Sequence, residues 1–285
     1  MGAALKRMGV FVAGLALIGW ANLAAAVDVS DADRGFRNFS RDAATLNSGQ
    51  IRLEVQGLTL HDDNEYPRTR TENGQTIVQR PAKLSPVGFR TDYKSITANQ
   101  VNLLASYGLA KNAEIGFLMP YMTSSTDTKY EEDAGDLQLY VKFRREVAER
   151  CALGFGAEVS VPTGNENKQL GTGETGLNPF VSTRYSYKAL AVGGHVGYQV
   201  FSGDVPDVFN WSFDVIVRPA ASYALRTEVT GRLFHQRGSH NNDITMWPGV
   251  DVNFAENFTI RPTGIVHLTD LAYDWGLGLG LAYIF

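Results

Sequence analysis

Residues 273–285, YDWGLGLGLAYIF, close the chain and set the narrowest condition on its fold. Trp275, Leu277, Leu279, Leu281, Tyr283 and Phe285 share one parity; Asp274, Gly276, Gly278, Gly280 and Ala282 share the other. A strand repeats every two residues, so the segment has one bulky apolar face and one face of small groups. On a soluble sheet the face turned from the core carries Lys, Glu or Thr; here it is nearly bare glycine. Aromatics at the ends with leucines between them are the layout of a strand crossing a bilayer, apolar to lipid and aromatic at the interfaces.

The opposite end of the chain agrees with export. Lys6 and Arg7 precede an apolar run over residues 8–20, followed by Ala24, Ala25 and Ala26. A charged start, an apolar run too short to span a bilayer and a small-residue cleavage site make residues 1–26 a secretory signal peptide. No second apolar stretch reaches helical-span length. Cys151 is the single cysteine, so no intramolecular disulfide can form. Formal charge is −4 for the whole chain; the leader holds Lys6 and Arg7 and no acidic residue, so the remainder is more acidic still. That balance excludes a nucleic-acid partner, which calls for a basic footprint. The expected organisation is a signal peptide over 1–26, an N-terminal periplasmic segment over 27–48 and a transmembrane barrel over 49–285. Residues 27–48, polar and with Arg34, Arg37 and Arg41, are either a periplasmic tail or a segment tucked into the lumen.

Between these ends the period of two recurs. Strands are expected over 50–60, 98–107, 114–122, 136–144, 152–161, 177–185, 190–200, 209–218, 223–233, 244–254, 258–268 and 273–285. In the first, Ile51, Leu53 and Val55 alternate with Arg52, Glu54 and Gln56; in the fourth, Leu137, Leu139, Val141 and Phe143 oppose Gln138, Tyr140, Lys142 and Arg144. Charge on the second face of so apolar a strand needs water on that side. The breaks alternate between longer polar loops and tight turns, the asymmetry of an outer-membrane barrel. Twelve strands, an even number, put both chain ends on one side. The expected fold is therefore all-β: an antiparallel up-and-down transmembrane β-barrel of about twelve strands, in the bacterial outer membrane. The long polar insertion over 61–96, broken by Pro67, Pro81 and Pro86, has room for short strands at Ile77–Val78 and Phe89.

Assigning the polar parity to the interior gives a lining of Arg52, Glu54, Glu114, Lys142, Arg144, Glu158, His195, Asp214, Arg218, Arg226, Glu228, Arg232, Asp251 and Arg261, with His267 on the same face. Both signs occur, so two readings stand. The charges pair across the lumen and brace the wall, or they form a filter in a water-filled pore. A ring of about twelve strands lies between barrels filled by side chains and wide porins. The inward glycines of the last strand widen the lumen locally or leave room for the N-terminal segment.

Residues 159–179, VSVPTGNENKQLGTGETGLNP, carry a P-T-G … L-G-T-G … P pattern between two strands. Together with Gly135-Asp136-Leu137 running on to Lys142-Phe143, Tyr107-Gly108-Leu109 before Glu114, Glu228, and Pro248-Gly249, it resembles the outer-membrane proteins grouped as the MetA-pathway of phenol degradation family. The resemblance covers roughly residues 45–285 and implies a barrel that passes small, often hydrophobic or aromatic, molecules. It carries over no functional residue. The terminal Phe285 with Tyr283 two before it also resembles the C-terminal signal read by the barrel assembly machinery, although Gly278 stands where that signal usually has a polar residue. The expected partners are outer-membrane lipid, that machinery and a small-molecule solute, with no cofactor and no enzymatic activity.

Three local patterns compete with this reading. Residues 171–176 satisfy G-x-G-x-x-G, but a strand follows at Asn178-Pro179-Phe180-Val181 where a dinucleotide site needs a helix N-terminus. Ser239 between His235 and His240 would suit a barrel enzyme acting on lipid, if a base stood within reach of the hydroxyl. His61 with Asp62 and Asp63, or Glu131, Glu132 and Asp133, offers oxygen ligands for a hard cation; a solvated loop is the simpler account, and no Cys or His cluster has zinc spacing. A barrel whose loops adhere, with no conducting pore, is the remaining alternative.

Overall fold

Each alternating segment forms a strand, and the strands close on themselves. The computed structural model describes residues 43–63, 68–72, 75–79, 83–84, 90–91, 95–126, 130–168, 170–236, 239–269 and 274–285. The leader expected over 1–26 and residues 27–42 lie outside them. In chain order the strands are β1 (Ile51–Asp63), β2 (Arg68–Glu72), β3 (Gln75–Gln79), β4 (Lys83–Leu84), β5 (Arg90–Thr91), β6 (Ser95–Ala110), β7 (Ala113–Thr126), β8 (Tyr130–Ala134), β9 (Leu137–Ala148), β10 (Cys151–Val161), β11 (Gly176–Tyr187), β12 (Leu190–Phe201), β13 (Asp207–Ala220), β14 (Tyr223–Gln236), β15 (Ser239–Ala255), β16 (Phe258–His267) and β17 (Trp275–Ile284). β8 and β9 act as one strand of the wall, broken at Gly135-Asp136, because both pair with β7. The wall is then an antiparallel barrel of twelve strands, sealed where β1 pairs with β17 from Arg52↔Ile284 to His61↔Trp275.

One rim is built of two-residue turns, at 111–112, 149–150, 188–189, 221–222 and 256–257. Both the start of β1 and Phe285 lie at this turn side, where the Phe285 N–H donates to the Ile51 carbonyl at 2.8 Å. The opposite, loop side carries the longer connections. Several were expected to be plain loops and are strand instead. β7 and β8 form a hairpin across the stretch expected to be loop over 123–135, and β14 and β15 run on to Gln236 and back from Ser239. Above a bilayer water can satisfy both faces of a hairpin, so the ladder continues after the apolar alternation has ended. In the insertion, β2–β3 and β4–β5 are two small separate hairpins. Ile77 and Val78 fall in β3; Phe89 lies outside the described residues.

The polarity of the wall is inverted relative to a soluble barrel. Leu279 is 51% exposed, whereas Lys142, Arg226 and Glu228 are 4%, 3% and 0% exposed. Val55, Leu103, Met119, Leu139, Val181 and Phe213 form an apolar outer band with Leu279. Tyr107, Tyr185 and Tyr283 flank it at the turn side, and Tyr121, Tyr198 and Trp275 at the loop side. That is an apolar belt between two aromatic girdles.

Candidate functional site: the barrel lumen

Most of the charged residues assigned to the inner face are buried: Glu54, Glu114, Lys142, His195, Asp214, Arg218, Arg226, Glu228, Asp251 and Arg261 are each 5% exposed or less. Arg52, Arg144, Glu158 and Arg232 share that face and keep partial exposure. So low an exposure means that these side chains pack closely on one another and narrow the lumen at these levels.

Nearest the turn side the hub is the Glu114 carboxylate. It accepts the Tyr140 hydroxyl at 2.7 Å and the Leu46 N–H at 2.9 Å, with Lys142 Nζ 3.5 Å and the Arg52 guanidinium 3.8 Å away. Arg52 also donates to Ser106 Oγ, which shares a 2.7 Å hydrogen bond with Tyr140. The Leu46 contact places residues 43–48 inside the turn-side mouth. There Ala43 and Leu46 are buried, and Lys142 Nζ donates to the Ala44 carbonyl at 2.5 Å. Of the two positions open to the N-terminal segment, its described end takes the lumenal one. A small residue on β6 permits this: a Cβ added at Gly108 would run into the Asn47 carbonyl oxygen. Gly108→Ala should therefore push the segment off the wall. A cysteine at position 46, protected from maleimide in the parent, should label readily once that alanine is present.

At mid-height Arg261 is the hub. Its Nε donates to Asp251 at 2.6 Å and one terminal nitrogen to Glu54 at 3.2 Å, while Arg226 Nε lies 3.8 Å from Asp251. Two carboxylates against two guanidinium groups hold β1, β14, β15 and β16 together across the inner face. Buried charges persist only where paired in this way.

On the loop side of that belt the inner faces of β1, β6, β15 and β16 carry an apolar patch, beyond which Arg232 and His267 meet the buried Asp243. Leu58, Leu60, Ala98, Trp247 and Ile265 form one buried cluster, and Trp247 Nε1 donates to Thr230 Oγ1 at 3.1 Å. This cluster explains the glycine face of β17. The Leu60 and Leu58 side chains occupy the space where Cβ atoms of Gly276 and Gly278 would stand, so those glycines admit neighbours rather than widening the lumen. Sequence reading missed the cluster because its members share parity with Arg52, Glu54 and Asp251. Leu58 and Leu60, apolar on the parity of Arg52 and Glu54, were the available signal. Across the lumen the Phe180 ring lies tilted against the His195 ring, 5.4 Å between centroids, and His195 Nε2 lies 3.0 Å from Asn210, which donates to Asn178 at 3.2 Å.

The remaining sequence candidates resolve differently. Residues 171–176 lie in the β10–β11 connection and lead into β11, with no helix. Ser239 pairs with Gln236, and His235 with His240, at a hairpin tip; their side chains lie outside the described residues, as do those of Asp62 and Asp63. Asp133 is engaged by Lys168 at 3.0 Å and Asn165 at 3.4 Å. Among the described residues no three His, Cys, Asp or Glu side chains cluster as a metal site.

No family model matches the chain, and no curated protein matches it in sequence. Solved structures do match. The COG4313 outer membrane channel from Pseudomonas putida F1 superposes with a TM-score of 0.66 at 15% identity, covering 86% of this chain and 99% of its own. The NanC porin gives 0.51 at 11% identity, over 81% of this chain and 98% of its own. The KdgM porin in complex with disordered oligogalacturonate gives 0.51 at 8%, over 83% and 99%. Likeness at such identities speaks to architecture alone: this chain shares with these proteins a closed antiparallel β-barrel, here of twelve strands.

Proposed function

We propose that the chain resides in the bacterial outer membrane and works as a channel for the passive uptake of small molecules, apolar and aromatic ones included. One observation carries this reading: an apolar outer band encloses a lumen graded from the buried Leu58–Trp247–Ile265 cluster to a belt of paired charges. The belt and residues 43–48 narrow the turn-side half. The resemblance to the phenol-degradation family points to the same substrate class, and the channel and porin neighbours accord with the location. Under this reading the outward Phe285 and Tyr283, whose rings lie 4.6 Å apart, form the end of the strand that the assembly machinery engages.

The test is liposome swelling and planar-bilayer conductance of the refolded, heat-modifiable protein, with uptake of a small phenol by cells making it. Discrete conductance and accelerated phenol uptake are expected. A folded protein that supports neither conductance, swelling nor uptake overturns the channel reading.

A further inference from the structure

The connection between β10 and β11, residues 162–175, holds the P-T-G … L-G-T-G pattern, and the lumen described above makes no use of it. Its described residues, 162–168 and 170–175, form a strap held by side-chain hydrogen bonds. The Asp136 carboxylate, buried at the break between β8 and β9, accepts three hydrogen bonds from it: the Gly164 N–H at 3.0 Å, the Thr172 N–H at 2.7 Å and the Thr172 hydroxyl at 2.6 Å. Thr163 Oγ1 adds a clasp, donating to the Gly135 carbonyl at 3.0 Å and accepting the Leu137 N–H at 2.9 Å. Gly164 and Gly171 meet at this carboxylate, so closely that a Cβ on Gly171 would lie 2.6 Å from the Gly164 Cα. The far end is tied to the β12–β13 loop by Glu174, whose carboxylate accepts the N–H groups of Gly203 at 2.9 Å and Asp204 at 2.6 Å.

The strap lies on the inner side of the wall. Asp136 shares parity with the inward Tyr140 and Lys142. A Cβ on Gly135 would point toward Pro120 and Met122, both buried on the inner face of β7, and the Leu170 carbonyl lies 3.2 Å from that same point. Leu170 itself is 1% exposed. A loop that merely hung in solvent would have no reason to bury a leucine against the inner wall, or to converge three donors on one carboxylate.

We propose that residues 162–175 are a latched constriction at the loop-side mouth, and that Asp136 is the positioning residue that sets the size limit for entering solutes. Asp136 touches no solute; it acts through the strap. The proposal rests on the channel reading above and deepens it. Charge-assisted hydrogen bonds donated by a strap's own N–H groups to one carboxylate are the strong class. Asn at 136 presents an NH2 to a donor whichever way it is turned, so the latch cannot be satisfied.

The experiment places Leu170→Cys in a Cys151→Ser background and compares it with the same protein carrying D136N or G171A. The second variant forces the glycine contact apart and leaves the carboxylate in place. Each protein must first show the heat-modifiable gel shift of a folded barrel. Maleimide labelling at position 170 is expected to be slow with Asp136 intact and about tenfold faster or more in both variants, since losing such a bond shifts a local opening equilibrium by at least that factor. Liposome swelling should rise more for a disaccharide than for a pentose. Equal labelling in all three folded proteins overturns the latch. Faster labelling with an unchanged disaccharide-to-pentose ratio, where the parent conducts, overturns its role as the size limit. Absence of swelling in every protein sinks the channel reading and the size limit with it, while the labelling rates still decide the latch.

Discussion

Replacing Glu114 with glutamine is expected to cost the folded barrel about 3 kcal/mol or more, since breaking a buried pair leaves its partners without a counter-charge. The Glu114 side chain is 2% exposed and that of Lys142 5%, so neither can turn to bulk water for relief. Glutamine keeps the shape and still accepts the Tyr140 hydroxyl, but Lys142 and Arg52 lose the anion they share. The measurement is the urea midpoint of the refolded protein in detergent micelles, read from the heat-modifiable band. The control is E114Q combined with Lys142→Met, which removes the stranded cation as well. If the charge pair is what glutamine breaks, the double variant recovers a large part of the loss, the coupling expected of groups in direct contact. A single variant as stable as the parent would mean that water reaches Glu114 freely and that the turn-side half of the lumen is open.

The sidedness of the wall was legible because a strand has only two faces. Leu279 on one parity and Arg226, Glu228 and Lys142 on the other could be assigned without knowing any contact, and they fall as expected. Strand number followed from the same alternation. The loop-side ends did not, because Phe234–Asn242 and Thr123–Gly135 are polar on both parities and give no signal where backbone pairing alone continues. The inner apolar cluster was hidden for the opposite reason. Leu58 and Leu60 continue the parity of Glu54 and Gln56, so one inner face changes chemistry along its length while the period stays the same.

Two further features were illegible because backbone groups make the contacts. Residues 43–48 hold to the lumen through the Leu46 N–H and the Ala44 carbonyl, groups that every residue type carries. In the β10–β11 connection the glycines carried no sign of a partner. They are instead places where two segments meet around Asp136, and Gly173, with φ +71°, is the one that needs a left-handed backbone. The sequence pattern marked the stretch as special; only the position of Asp136, outside the pattern by more than twenty residues, says why.

Leu279→Arg should destabilise the barrel in phospholipid vesicles by about 2–4 kcal/mol, the cost of placing an arginine on the lipid face near the bilayer midplane. Leu279 stands midway along β17, opposite Gly57 and Pro262, between the rim aromatics Trp275 and Tyr283. Leu277, one step closer to Trp275 and 62% exposed, should suffer less from the same change, because the penalty falls to about 0–1 kcal/mol toward the interface. The pair separates the two environments in which a half-exposed leucine can sit. On a water-washed surface, Leu→Arg is nearly neutral and indifferent to position along the strand. Facing acyl chains, it is costly and graded with depth. Equilibrium folding of both variants into vesicles, read by Trp fluorescence against denaturant, gives the gradient directly. A flat, near-zero response at both positions would place the outer band in water and remove the membrane from the account of this fold.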